Sequence, residues 1–189
     1  MARVTGRDPG ARPHPRETIR EACQRWGEAE VVRRCVNILD GAPLGDDELD
    51  LLGYLAAARS RRAPRGGAWP AWYPVWALRC LLYVWRPEAA AAVVAATSGD
   101  RWRVREMAAK VCLARELGEA ADALARLLAD PVPRVRVAAA RAVAAVGEAE
   151  HAEGLRRMLA DPDPRCRTAA QTALRRLSIR LDRDLEDPR

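Results

Sequence analysis

Apolar positions in the second half of the chain recur every three and four residues, and they return in blocks. Val135, Ala138, Ala139, Ala142, Val143 and Val146 make one stripe, the period of a helix with a single buried face. Gly147 ends that helix, and Leu155, Met158 and Leu159 make a second stripe that runs to about Ala160. The segments DRWRVREMAAKV, DPVPRVRVAAARAV and DPDPRCRTAAQTAL are versions of one another, with Arg-x-Arg pairs that begin at Arg103, Arg134 and Arg165, 31 residues apart. Leu124 and Leu155, Leu127 and Met158, and Asp130 and Asp161 keep the same spacing. Gly118 and Gly147 differ by 29, which predicts a loop that lengthens as the first helix shortens. Asp130-Pro131 and Asp161-Pro162 place an N-cap carboxylate before a proline at the first helical position, where a missing N–H costs nothing. Each unit therefore predicts a helical hairpin, with alanines where neighbouring helices approach closely.

The pattern weakens toward the N-terminus. Residues 71–99 read as a degenerate earlier unit, because Ala77, Ala108, Ala139 and Ala170 share the spacing, as do Leu81, Cys112, Val143 and Leu174. Pro87 opens the second helix of that unit. Upstream, Glu17–Trp26, Glu28–Leu39 and Asp46–Arg59 predict three further helices. The expected organisation is a disordered tail over 1–16, a helical cap over 17–60 and an Arg/Gly/Pro-rich loop over 61–70. Repeats follow over 71–178, and then a charged capping segment or tail over 179–189.

At this point DPVPRVRVAAARAVAAVG resembles the HEAT repeats, in particular the short phycobilisome-lyase-like type with its DPxxxVRxxAAxALGxxG pattern and leucine-rich second helix. The resemblance is strong over 100–178, weaker over 71–99 and absent before. It implies an all-α, right-handed α-solenoid of helical hairpins, with first helices on the convex side and second helices on the concave side. It implies no lyase chemistry, because the repeat itself is a scaffold. SGDRWRVREMAAKV is also similar to a segment of HEAT-like alkylpurine DNA glycosylases in which a tryptophan and an arginine face the DNA, here Trp102 and Arg105. That family carries its catalytic aspartate on a Trp-rich helix. The Trp-rich stretch here, WYPVWALRCLLYVW, contains no acid, so only DNA binding survives from that likeness.

Composition agrees with a helical chain: among 189 residues there are no Phe, three Tyr and three Ile. No run approaches the roughly 20 apolar residues of a membrane span, and the N-terminus has no secretory h-region. Five widely spaced cysteines without a CxxC pair suggest neither a disulfide framework nor a zinc site, and point to a reducing cytoplasm. Cys80, Cys112 and Cys166 read as small core residues. No cofactor is expected, and neither His14 nor His151 has a catalytic constellation around it.

The net charge of +6 is almost wholly arginine, since Lys110 is the single lysine among 32 basic residues. Arginine suits carboxylate and phosphate, so two readings follow. The first is a non-enzymatic, monomeric scaffold that binds a protein partner through Trp69, Trp72 and Tyr73 in an aromatic loop and through Arg126, Arg156 and Arg157 on the second helices. The alternative is nucleic-acid contact through Trp102, Arg103, Arg105, Arg134 and Arg165; a third, an accessory of a lyase-type enzyme, has no converging residues. Arg105, Arg136 and Arg167 are expected to be structural, neutralised by Asp100, Asp130 and Asp161 in a ladder between repeats. Trp76 and Trp85 are expected in the core.

Overall fold

A computed structural model describes residues 14–56 and 69–185, and every regular element among them is helical. Three helices come first: α1 (Pro15–Trp26), α2 (Glu28–Leu39) and α3 (Asp46–Leu55). Hairpins follow, pairing α4 (Tyr73–Leu81) with α5 (Ala90–Ala96), α6 (Trp102–Arg115) with α7 (Ala121–Arg126), and α8 (Pro133–Val146) with α9 (Ala152–Met158). The last first-type helix, α10 (Pro164–Leu181), packs on α8 and α9, and no second helix follows it among the described residues. The first helices α4, α6, α8 and α10 pack side by side in sequence, α2 packs on α4, and one continuous core runs through the stack. This is a HEAT-type helical solenoid. No helix among the described residues is long and apolar enough to cross a membrane.

The 31-residue register holds more strictly than the glycines suggested. Both α6 and α8 have 14 residues, and their caps, Glu116 and Gly147, are themselves 31 apart. Gly118 instead opens the 3-10 turn Gly118–Ala120, whose counterpart is Ala149–His151. Between these two repeats the first helix does not shorten. Gly147 is required by space: a Cβ there would lie 2.7 Å from the Val143 carbonyl oxygen and 2.9 Å from its Cγ1. Glu116 closes the equivalent helix in the left-handed region, at φ 51°.

Helix starts also differ from expectation. Asp130 and Asp161 sit before a turn, where their carboxylates accept the N–H of Val132 and Asp163, each at 2.8 Å, and the helices begin at Pro133 and Pro164. At the other end of the chain α1 starts two residues early, because His14 Nδ1 accepts the Arg16 N–H at 3.2 Å and its ring meets Tyr83 edge-on. Helix α10 continues past Ser178 to Leu181. Leu185 then folds back, buried, donating its N–H to Ser178 Oγ, and its carbonyl accepts from Arg156 Nε at 3.1 Å.

Alanine sits where helices touch. Ala77, Ala108, Ala139 and Ala170, one per repeat, are fully buried, and beside them Leu81, Cys112, Val143 and Leu174 fill the next layer. Cys35, Cys80, Cys112 and Cys166 are buried and free. Burial pushes the Cys112 thiol up to about 12, which leaves it a small apolar side chain at neutral pH.

Candidate binding site on the first-helix face

Residues i and i+2 on a helix diverge by about 200°, so the two arginines of each Arg-x-Arg pair leave in different directions. The second arginine turns to the seam between repeats. Arg105 donates from Nε to Asp130 Oδ2 at 2.6 Å and from Nη2 to Oδ1 at 3.2 Å, while its Nη1 reaches the Gly99 and Asp100 carbonyls, both at 2.9 Å. Arg136 repeats this with Asp161 at 2.6 and 2.7 Å and with the Asp130 carbonyl at 2.8 Å. Hydrogen bonds from Arg136 hold the Asp161 carboxyl below the usual carboxylate range.

The ladder is therefore present, with one correction: each carboxylate comes from the following repeat, 25 residues on. Among the described residues Arg167 has no carboxylate partner and binds the carbonyls of Asp161 and Pro162. Asp100 lacks a ladder arginine because the position 31 residues before Arg105 is Pro74. Arg105 is thereby held in the seam, while its side chain also lines the edge of a recess beside Trp102 and Arg103.

The first arginine of each pair faces outward. Arg103 and Arg134 are exposed on α6 and α8, and Arg165 on α10. The Arg103 guanidinium lies 5.0 Å from the Trp72 ring centroid and 4.3 Å from that of Trp102, and Arg134 lies 5.4 Å from Trp102. Trp72, Trp102 and Arg103 line a shallow recess of about 430 Å³. A larger recess of about 780 Å³ adjoins it, running over α6, α8 and α10. Its floor is small and apolar, with Val137, Ala138, Ala169 and Ala173. Its walls carry Lys110, Arg134, Arg141, Arg165 and Arg176 against one carboxylate, Glu106.

Glu106 is buried in that floor, and its Oε1 accepts from Lys110 Nζ at 2.8 Å and from Arg134 Nη2 and Nε at 3.2 and 3.3 Å. Arg165 pairs with Asp163 at 2.7 Å. Neither Arg141 nor Arg176 makes an ion pair or hydrogen bond among the described residues. Lys110, Arg141 and Arg176 were missed in the sequence. Their signal is there, since Lys110 and Arg141 follow Arg103 and Arg134 by seven residues, two turns along the same face, and Arg176 follows Arg165 by eleven.

The residues expected to meet a protein partner scatter. Tyr73, only 4% exposed, packs in the core rather than in an exposed loop, while Trp72 at 38% is exposed. The side chain of Trp69, and Arg59, Arg61, Arg62 and Arg65, lie outside the described residues. On the second helices Arg126 is exposed with no ion pair among the described residues, and Arg157 is exposed beside Glu153. Arg156 is engaged with Glu153 and with the Leu185 carbonyl, so it secures the C-terminal segment. Trp76 and Trp85 pack against the core, with Arg115 over Trp85 donating to the Leu81 carbonyl.

His151 turns out to be placed rather than loose. It is buried, its Nδ1 accepts the Glu148 N–H at 2.8 Å, and its Nε2 lies 3.1 Å from Asp122 Oδ1, joining α7 to the turn before α9. Among the described residues no three His, Cys, Asp or Glu side chains are grouped to hold a metal.

Compared with known families, residues 91–175 match the family of HEAT repeats. No curated protein matches the chain.

Proposed function

We propose that this stack of HEAT-type hairpins is a non-enzymatic scaffold that holds a protein partner on its first-helix face. The observation that carries the reading is the recess over α6, α8 and α10, where five cations face one carboxylate above an apolar floor. Arginine beside small apolar residues is the composition of a protein contact centre, because the guanidinium both pairs with carboxylates and packs its stem. The contact moves from the second helices, where Arg126 and Arg157 stand apart, to the first. The aromatic share of the site falls to Trp72 and Trp102. Five free thiols suit a reducing compartment, and the reading places the chain in the cytoplasm as a monomer.

A second reading, nucleic-acid binding, draws on the Trp72, Arg103 and Trp102 stack, since aromatic rings beside arginine also receive bases. One experiment separates them. The tagged chain is purified under mild conditions beside two charge-reversed versions, Arg134→Glu with Arg141→Glu on the first-helix face and Arg126→Glu with Arg157→Glu on the second. The scaffold reading expects a stoichiometric protein that is lost with the first pair and kept with the second. Recovery of nuclease-sensitive material alone, released steeply by salt, favours the second reading.

A further inference from the structure

The recess already holds one carboxylate that belongs to the chain itself. Where α6 meets α8, a cation on one helix, Lys110, and a cation on the next, Arg134, close on the Glu106 carboxylate, at 2.8 Å and at 3.2 and 3.3 Å. Moving 31 residues along the chain converts Glu106, Lys110 and Arg134 into Val137, Arg141 and Arg165. The cation pair recurs, but the carboxylate does not. Val137, half-buried in the recess floor, stands where the glutamate stem stood, and Arg141 is left with no partner among the described residues. Arg176 joins it from α10, also without an ion pair among the described residues. Arg165 pairs only with Asp163, and its side chain is 68% exposed, the kind of pair that contributes little and can be shared.

We infer that the position between Arg141 and Arg165, above Val137, takes a carboxylate from outside: an aspartate or glutamate on the docking segment of a partner protein. This rests on the scaffold reading and narrows it to an acidic segment. A carboxylate is favoured over a phosphate because the copy in α6 shows this cation pair closing on a carboxylate. The surrounding Val137, Ala138, Ala169 and Ala173 also offer apolar contact to side-chain methylenes rather than to a sugar-phosphate backbone. First-helix neighbours lie about 8–10 Å apart, so the Glu106 position and its empty counterpart form a row with one place filled from within and one from without.

The probe is a fluorescein-labelled octaglutamate peptide, titrated against the full chain at low salt by anisotropy. Val137→Glu installs the internal carboxylate and is expected to lower affinity at least about tenfold, while Arg126→Ala, which removes one positive charge from the opposite face, changes it less than about twofold. Glu106→Val frees the copy of the site between α6 and α8 and is expected to raise affinity several-fold. Circular dichroism checks that the variants fold. Should Val137→Glu not fold, Arg141→Ala with Arg176→Ala leaves the floor intact and is expected to give the same loss.

Equal losses in Val137→Glu and Arg126→Ala would mean attraction by bulk charge and overturn the inference. So would a 12-base-pair DNA duplex that binds more tightly than the peptide and weakens in the same variants. A partner protein that needs Arg134 and Arg141 but ignores Val137→Glu, as the peptide then also does, removes this inference and leaves the scaffold standing. Peptide binding that follows the expected pattern, with no protein recovered from cells, does the reverse.

Discussion

Two strips of the same three helices have opposite electrostatics. Along the seam between repeats, Arg105 and Arg136 are 14% and 12% exposed and held by carboxylates that are 3% and 7% exposed. Two residues from Arg136, Arg134 is 61% exposed with one shared acceptor, and farther along the same face Arg141 and Arg176 have none among the described residues. The residue type is the same and the helical turn is the same. What differs is direction: a step of two residues rotates the side chain about 200° around the axis, from a seam that must neutralise it to a surface that need not. Net charge alone therefore says little about this protein. Its seam arginines are paired between repeats, whereas Arg141 and Arg176 on the outward strip have no ion pair among the described residues.

The largest expected effect tests the seam. Arg136→Ala leaves Asp161 buried without its partner and should cost about 3 kcal/mol of unfolding free energy in a urea titration. Arg167→Ala, at the end of the ladder with carbonyl contacts alone, should cost about 1 kcal/mol or less. Equal costs would break the distinction between a paired rung and a terminal one.

Acid should separate the strips next. Arg136 holds Asp161 below its ordinary pKa in the folded state, so the pair contributes fully above the unfolded value, about 4, and is lost as pH falls through the folded one. Glu30, lowered from 4.5 to about 2 by Arg33 and then by Arg34, adds the same sign in the N-terminal helices. Melting temperatures taken from about pH 6 down to about pH 3 should fall for the parent chain and fall less for Arg136→Ala. An unchanged slope would remove Asp161 from the acid response.

The smallest effect is on the outward strip. Arg141→Ala should shift unfolding free energy by less than about 0.5 kcal/mol in the same urea titration, because no partner is lost with it. A loss as large as that of Arg136→Ala would place Arg141 in the structure rather than at a binding face.

The repeats were legible because each unit states its own register. The 31-residue spacing of the Arg-x-Arg pairs, the Asp-Pro starts and the buried alanines all describe local helix geometry, which a linear pattern encodes directly. The expected seam role of Arg105 and Arg136 was readable for the same reason. Its partner was assigned to the wrong repeat, because adjacent in sequence and adjacent in space differ when hairpins stack. Tyr73 shows another limit. It lies among tryptophans and prolines that suggest an open loop, yet α4 begins at Tyr73 and turns its ring into the core.

From the sequence alone came the helical class, the hairpin unit, its period and the need to neutralise one arginine of each pair. These depend on side-chain periodicity and on contacts that recur with the repeat. Only the tertiary structure decided which face carries unbalanced charge. Glu106, Lys110, Arg134, Arg141 and Arg176 come from three helices and meet only when those helices lie side by side, so their shared recess is a property of the stacking and of no single segment.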